Sequence, residues 1–299
     1  MTGREALRRL YGRAVPRLLR SWRDKAAQAS AEKRARGTVL SYYEKQGAST
    51  PYQRELSYIR NHRFSVLPYD FVAEYNDEVV DVRWDKSCNL PFVTYRGSRV
   101  YFPEHMPHGV VRRYFRQILI EQDERSPHRY LTPSFRCPPD SHVLDVGAAE
   151  GMFALQVVEH AKQCILFEPD VAWSEPLKQT FAPWASKVTI VDRFVSDGRR
   201  ADTIAIDGFI GDGPADFLKI DAEGEELRIL EGASACLETR IRHLAVCCYH
   251  KQDHLPTIER DLSERGFAVT PSDGFLLFYS DPEWAPPYFR RALVRATKG

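Results

Sequence analysis

The 299-residue chain contains no Cys-x-x-Cys pair, and its six cysteines, at 88, 137, 164, 236, 247 and 248, are scattered. Such spacing argues against a zinc ribbon or a disulfide framework and fits reduced thiols in a cytoplasmic protein. No metal site is therefore expected. No apolar run approaches the roughly 20 residues that span a bilayer, and no uninterrupted secretory core opens the chain. A charge excess is missing too. Lys and Arg number 42 against 41 Asp and Glu, so no global field draws the chain to nucleic acid. Repeats and low-complexity tracts are absent. What is present is a 43% hydrophobic content, enough for a sizeable core, on a length that suggests about two domains.

The stretch that organises the rest is Ser141–Gly151, SHVLDVGAAEG. Val143-Leu144-Asp145-Val146 suits a strand buried on both faces. Gly147 to Gly151 is a turn of small residues, and Met152, Phe153, Leu155, Val157 and Val158 then recur at helical spacing. Strand, glycine turn and helix open a nucleotide-binding unit with the ligand over the helix N-terminus. The next strand, Cys164 to Phe167, ends at Glu168, about twenty residues on, where a carboxylate can accept both hydroxyl protons of a ribose. A dinucleotide fingerprint is excluded, since Ala149 and Met152 stand where its second and third glycines belong, and no Gly-Lys-Ser/Thr phosphate loop occurs. Asp-x-Gly-x-x-x-Gly with an acidic second strand end is the pattern of class I S-adenosylmethionine (SAM) methyltransferases.

Three regions are expected. Residues 1–36 are Arg-rich, with Leu7, Leu10, Tyr11, Ala14, Val15, Leu18, Leu19 and Trp22 on one helical stripe and a kink at Pro16. Such a helix packs on its own domain or on a second subunit, making a homodimer, or binds a membrane surface or a protein partner. Residues 37–135 form an accessory α+β region. It has short strands at Val79–Trp84, Phe92–Tyr95 and Val100–Phe102, a hairpin turn at Arg96-Gly97, and a helix from Val110 to Gln122. The polar cluster Glu121 to Tyr130 then reaches the lip of the cleft. Residues 136–299 alternate strand and helix, the mark of a doubly wound α/β domain. Strands are expected at 142–146, 163–167, 187–191, 216–220, 243–249, 267–270 and 275–279, and helices at 151–161, 174–182, 225–233 and 254–265. The last two strands, separated by Pro271-Ser272-Asp273-Gly274, read as a closing hairpin of a seven-stranded sheet with one antiparallel strand.

Open α/β sheets bind ligands beyond the carboxyl ends of their strands. Asp145, Gly147, Ala149 and Gly151 are expected beside the cofactor's amino-acid part, Glu168 and Pro169 at the ribose, and Phe194, Val195 and Ser196 at the adenine. Asp221 serves both cofactor and catalysis. An alcohol acceptor needs a base, and His250, at the end of the fifth strand, is the expected one. Asp221 and Glu223 offer a second route for the proton, orient the acceptor, or hold a divalent ion with His250, the metal being the lesser expectation. Lys251 either binds an anionic acceptor or is solvated, and Cys247-Cys248 belong to core packing.

Phe217 to Gly224, FLKIDAEG, followed by Glu225-Glu226-Leu227 and Gly232-Ala233, is the most specific signal. Together with the turn at 145–151, Phe167 to Asp170 and Ile206-Asp207, it resembles the FkbM family of SAM-dependent methyltransferases over about residues 140–255. Tyr101-Phe102-Pro103 and EQDERSPHRY extend the likeness to about residue 95. Family members often carry Asn where Glu150 stands. The resemblance implies a class I methyltransferase fold, SAM as cofactor, and O-methylation of a saccharide or natural-product hydroxyl. Two rivals stand beside it. A nucleic-acid acceptor would use the Arg-rich N-terminus as a phosphate clamp, but no aromatic NPPY-type loop follows the fourth strand to grip a flipped base. A non-catalytic module would have no need of the acidic and glycine positions.

Overall fold

The computed structural model describes residues 22–47, 50–76 and 80–299, with side chains from residue 29 onward. The apolar stripe expected from Leu7 to Trp22 of the Arg-rich segment 1–36 lies outside the residues whose side chains are described. Helix α1 (Trp22–Gln46) runs past residue 36 and pairs with α2 (Gln53–Asn61). A three-stranded antiparallel meander follows, β1 (Val82–Asp85), β2 (Leu90–Tyr95) and β3 (Ser98–Tyr101). Its second turn is Arg96-Gly97, both at positive φ, which suits the twist of a two-residue hairpin. Helix α3 (His108–Glu121) leads to the main sheet.

In that sheet β4 (His142–Val146), β5 (Gln163–Phe167) and β6 (Val188–Val191) are parallel neighbours on one side. Helices α4 (Met152–Val157) and α5 (Ser174–Thr180) connect them. A two-residue pair, β7 (Phe194–Val195) and β8 (Thr203–Ile204), precedes α6 (Ile206–Ile210). Then come β9 (Phe217–Ile220), α7 (Glu226–Gly232), α8 (Ser234–Thr239), β10 (His243–Cys247), α9 (His254–Glu264), β11 (Ala268–Pro271) and β12 (Leu293–Thr297). The order across the sheet is β11-β12-β10-β9-β4-β5-β6, with β12 antiparallel to both neighbours. This is the expected doubly wound, seven-stranded sheet with one antiparallel strand.

The identity of that strand differs from expectation. Phe275–Tyr279 is no strand, and Leu276 makes only an isolated bridge to Arg290. The antiparallel strand comes from the tail, at Leu293–Thr297. The apolar run at 275–279 is used elsewhere. Leu277 is buried with Val39, Ile59 and Phe289, while Leu276 packs with Leu67, Phe71 and Ile120. The tail thus joins the N-terminal helices to the sheet, and the Tyr43 hydroxyl donates to the Pro287 carbonyl at 2.7 Å.

Alternation along β4 sorts the core into two layers. Val143 faces a cluster that includes Val100, Phe102, Phe115, Phe153 and Leu177. Leu144 and Val146 face a second one with Ile229, Leu237, Ile258 and Leu262. The first layer therefore runs without a break from the meander and α3 into α4 and α5. Through it the accessory elements are fixed against the carboxyl ends of the strands.

Candidate active site

The floor of the crevice is the turn after β4. Gly147 has φ +74, and a Cβ there would lie 1.9 Å from the Asp221 carbonyl oxygen, so the turn and the end of β9 touch backbone to backbone. A Cβ on Gly151, φ +80, would meet the Phe181 ring at 2.5 Å. Between them Ala149 holds a left-handed φ of +45. Glu168, at the end of β5, reaches back to this turn. It accepts the Ala149 N–H at 2.9 Å on Oε2 and the Asp170 N–H at 2.9 Å on Oε1. Burial pushes its carboxyl up to about 7, against the pull of those two N–H groups. Pro169 is half-buried beside it.

Asp145 is completely enclosed and lies 3.0 Å from the Lys219 ammonium, itself buried in β9. Parallel pairing puts Asp145 and Lys219 in the same register. Burial opposes the Lys219 charge, but Asp145 and Asp221 outweigh it and raise the pKa. Lys219 also donates to the Gly147 carbonyl at 2.7 Å. Asp145, expected beside the cofactor, thus acts on the turn from beneath, through Lys219. Glu150 is also buried. It accepts the Tyr114 hydroxyl of α3 at 2.9 Å, and burial pushes it up to about 7.

The expected adenine segment is only partly at the crevice. Val195 and Ser196 are buried; Ser196 donates to Glu225 at 2.9 Å and packs its carbonyl under Gly232. Val195, in β7, packs in the core with Ile206 and Ile229, and the Ser196 N–H that follows donates to the Ile204 carbonyl of β8. Phe194 alone of the three keeps exposed surface.

Asp221, Glu223 and His250 are brought together. The His250 Nε2 lies 3.7 Å from Asp221 Oδ1 and 3.6 Å from Glu223 Oε2, and its Nδ1 lies 2.8 Å from Glu226 Oε1. Burial pulls the imidazole down, but Glu226, Glu223 and Asp221 outweigh it and raise it to about 9. Glu223 sits at φ +54. Burial raises its carboxyl to about 7; His250 opposes this, and Asp221 and Glu226 add to it. Lys251 is exposed, with its stem against Gly224.

Five participants have no role assigned from the sequence. The Tyr130 hydroxyl donates to Asp221 Oδ2 at 2.6 Å, and His128 Nε2 lies 3.8 Å from the same oxygen. Both come from the polar cluster placed at the cleft lip. Tyr249 sits over His250, their ring centroids 4.0 Å apart. Glu226, fully buried, also faces His254 Nδ1 at 3.0 Å and accepts the Ala222 and Gly224 N–H groups. Lys219 had a readable signal: one Lys inside the apolar run of β9, opposite one Asp inside that of β4.

Two triads, His128 with Asp221 and Cys247, and Asp221 with Glu226 and His250, place donor atoms within 4.8 Å of one another. Some of their donors are committed: Glu226 Oε1 accepts two N–H groups, Asp221 Oδ2 takes the Tyr130 hydroxyl, and the Lys219 ammonium also acts on both Asp221 and Cys247, while both ring nitrogens of His250 are buried without a hydrogen bond. The cluster is organised around internal charge pairs, and no metal is assigned.

Comparison with known proteins gives one family. Residues 94–269 match the model described as the Methyltransferase FkbM domain. Among solved structures, methyltransferase FkbM from Methylobacillus flagellatus is similar at 19% identity and a TM-score of 0.46, over 63% of this chain and 53% of that one. This chain therefore spans about half the length of that relative. The putative methyltransferase SMU.1697c from Streptococcus mutans, solved with SAH, is similar at 14% identity and a TM-score of 0.39, over 54% of this chain and 90% of that one. A precorrin-6y C5,15-methyltransferase from Geobacter metallireducens shares 16% identity at a TM-score of 0.39, over 55% and 84%. A search of curated proteins found no match.

Proposed function

Since the chain belongs to the FkbM methyltransferase family, whose cofactor is SAM, we propose that it transfers a methyl group to a hydroxyl oxygen of a saccharide or a secondary metabolite. The residues present fit the cofactor. Both oxygens of Glu168 hold backbone N–H groups at the turn and keep lone pairs for a ribose diol. Glu150, Glu168, Asp221 and Glu223 make the crevice acidic, while its buried Lys219 is paired with Asp145, which suits a ligand bearing a sulfonium and an ammonium. When bound, SAM supplies an electrophilic methyl on a good leaving group. The protein's part is then to align acceptor and methyl, worth about 7–11 kcal/mol, and to receive a proton.

The observation that carries the hydroxyl reading is the Asp221–Glu223–His250 cluster, two carboxylates within 3.7 Å of the imidazole on a loop whose Asp221 carbonyl abuts the Gly147 turn, with burial raising Glu223 to about 7. A hydroxyl becomes a competent nucleophile only as its proton leaves, and one tuned base gives about 10²–10⁴-fold. The loop after β9 is Asp-Ala-Glu-Gly, with no aromatic side chain for a flipped base. Calorimetry with S-adenosylhomocysteine (SAH), then methyl-labelled SAM with oligosaccharides and with total RNA, tests the reading. Label in RNA, or no SAH binding, overturns it.

Six thiols without a disulfide partner support a cytoplasmic location. No helix among the described residues is long and apolar enough to cross a membrane. A contact of residues 1–36 with a membrane surface, a protein or a second copy stays part of the proposal.

A further inference from the structure

We propose that His250 is a fixed imidazolium locked by Glu226, a positioning residue rather than a base, and that Glu223 takes the acceptor's proton. The inference rests on the hydroxyl-transfer reading above. Its ground is geometry. A carboxylate oxygen faces each nitrogen of the His250 ring: Glu226 at 2.8 Å from Nδ1, and Glu223 and Asp221 at 3.6 and 3.7 Å from Nε2. A neutral imidazole has one nitrogen without a proton. Its lone pair would here confront a carboxylate, whichever tautomer formed. The doubly protonated ring meets a negative charge on both sides; neither nitrogen makes a hydrogen bond, so the pairing is one of charge at close range.

The ring is also closed to a substrate. Its side chain is 3% exposed, with Tyr249 over it and the Phe278 ring 5.5 Å away edge-on. Other charges nearby are Arg290, which donates to the His250 carbonyl at 3.0 Å, and the exposed Lys251. Neither sits at the ring nitrogens. Glu226 is tied down by the Ala222 and Gly224 N–H groups and faces His254 with its other oxygen. Burial raises its pKa, but His250 and His254 outweigh burial and hold it far below the usual carboxylate range.

Of the three carboxylates around His250, Glu223 is the one open to an acceptor. Its side chain is 37% exposed, against 17% for Asp221 and 0% for Glu226. Its left-handed backbone turns it outward, while Asp221 is held by Tyr130. As the acceptor oxygen gains the methyl, its proton passes to the Glu223 carboxylate and then to solvent. The electron pair of the broken carbon–sulfur bond stays with the thioether product. In the transfer the sulfonium and carboxylate charges are neutralised together, and Glu223 recovers its negative charge when the proton leaves to solvent.

The test is a pH titration of the full chain by NMR, with labelled histidine and glutamate side chains. His250 and Glu223 are assigned by the signals lost in His250→Gln and Glu223→Gln. His250 is expected to remain an imidazolium at about pH 8, and Glu226→Gln to lower its midpoint by at least about one unit. Glu223 is expected to titrate near 7 and to move higher in His250→Gln. If Glu226→Gln does not fold, the wild-type titration decides alone. A wild-type His250 midpoint at or below the ordinary 6.5, or a Glu223 midpoint in the ordinary carboxylate range, overturns the proposal. SAH calorimetry on the same samples separates the two readings. Absent SAH binding with a charged His250 removes methyl transfer and leaves the clamp. Bound SAH with a neutral His250 removes the clamp and returns the base role to His250.

Discussion

The floor of the crevice and its far wall are built on different plans. The floor, Asp145 to Gly151 with Glu168, comes from one strand–turn–helix–strand unit, closed by the Glu168 bond to the Ala149 N–H and propped from beneath by Lys219. The wall is assembled from chain segments far apart. Tyr130 reaches Asp221 from 91 residues away, Arg295 of β12 donates to the Tyr130 carbonyl at 3.0 Å, and Phe278 of the tail packs on Tyr249. A floor of this kind can recur wherever its short motif occurs. A wall of this kind can change with every loop, which is where acceptor choice would lie.

The two plans meet at Gly147, so Gly147→Ala should hurt both. A methyl group at 1.9 Å from the Asp221 carbonyl, on a residue at φ +74, forces the turn and the β9 end apart. We expect a loss of about 3 kcal/mol or more in denaturant unfolding, with SAH binding abolished. A loss under 1 kcal/mol, roughly the ordinary glycine-to-alanine effect, would mean that floor and wall are not in rigid contact.

Next in size, Glu168→Ala removes charge-assisted bonds from the floor alone. At about 1.5–3 kcal/mol for a hydrogen bond to a charged group, SAH affinity should fall about 100-fold. Calorimetry checks this, and unchanged affinity would remove Glu168 from the ribose. Tyr130→Phe does the converse. It deletes the wall's grip on Asp221 and leaves the floor intact, so SAH affinity should stay within about threefold while stability drops by about 1–2 kcal/mol. A Tyr130→Phe variant that loses SAH as completely as Glu168→Ala would erase the distinction.

The same contrast explains what could be read in advance. The floor was legible because its geometry is encoded within a few residues: a buried run, two glycines that a Cβ would jam, and a carboxylate at the next strand end. The sheet count was legible for the same reason. The choice of β12 over Phe275–Tyr279 was not, because both segments are apolar, and only the N-terminal helices decide which of them has a core to fill. The burial of Val195 and Ser196 was not legible either, because the pairing of Phe194-Val195 with Thr203-Ile204 draws them inward, and no periodicity shows in so short a strand. Tyr130 and His128 were seen as part of a cleft lip, but their partner Asp221 is fixed by long-range packing. Glu226 stands in the sequence only as part of a motif, and long-range packing alone brings His250 and His254 onto it.

The smallest expected effect sharpens the comparison through pH. Burial holds the Glu168 carboxyl near 7 in the folded protein, above the ordinary 4.5. A group raised in this way is part-protonated at neutral pH, and a protonated carboxyl is the poorer acceptor for a diol. SAH affinity should therefore rise as pH increases from about 6 to 8, by no more than about tenfold per unit for one proton. Glu168→Gln should flatten the slope. Tyr130→Phe should keep it, because the wall's carboxylate, Asp221, is already ionised. Burial raises Asp221, but His128, Lys219, His250 and the Tyr130 hydroxyl outweigh it, so the net shift is downward. A slope that survives in Glu168→Gln but vanishes in Tyr130→Phe would place the titrating group in the wall, and the cofactor would then be held by the long-range assembly instead of the local one.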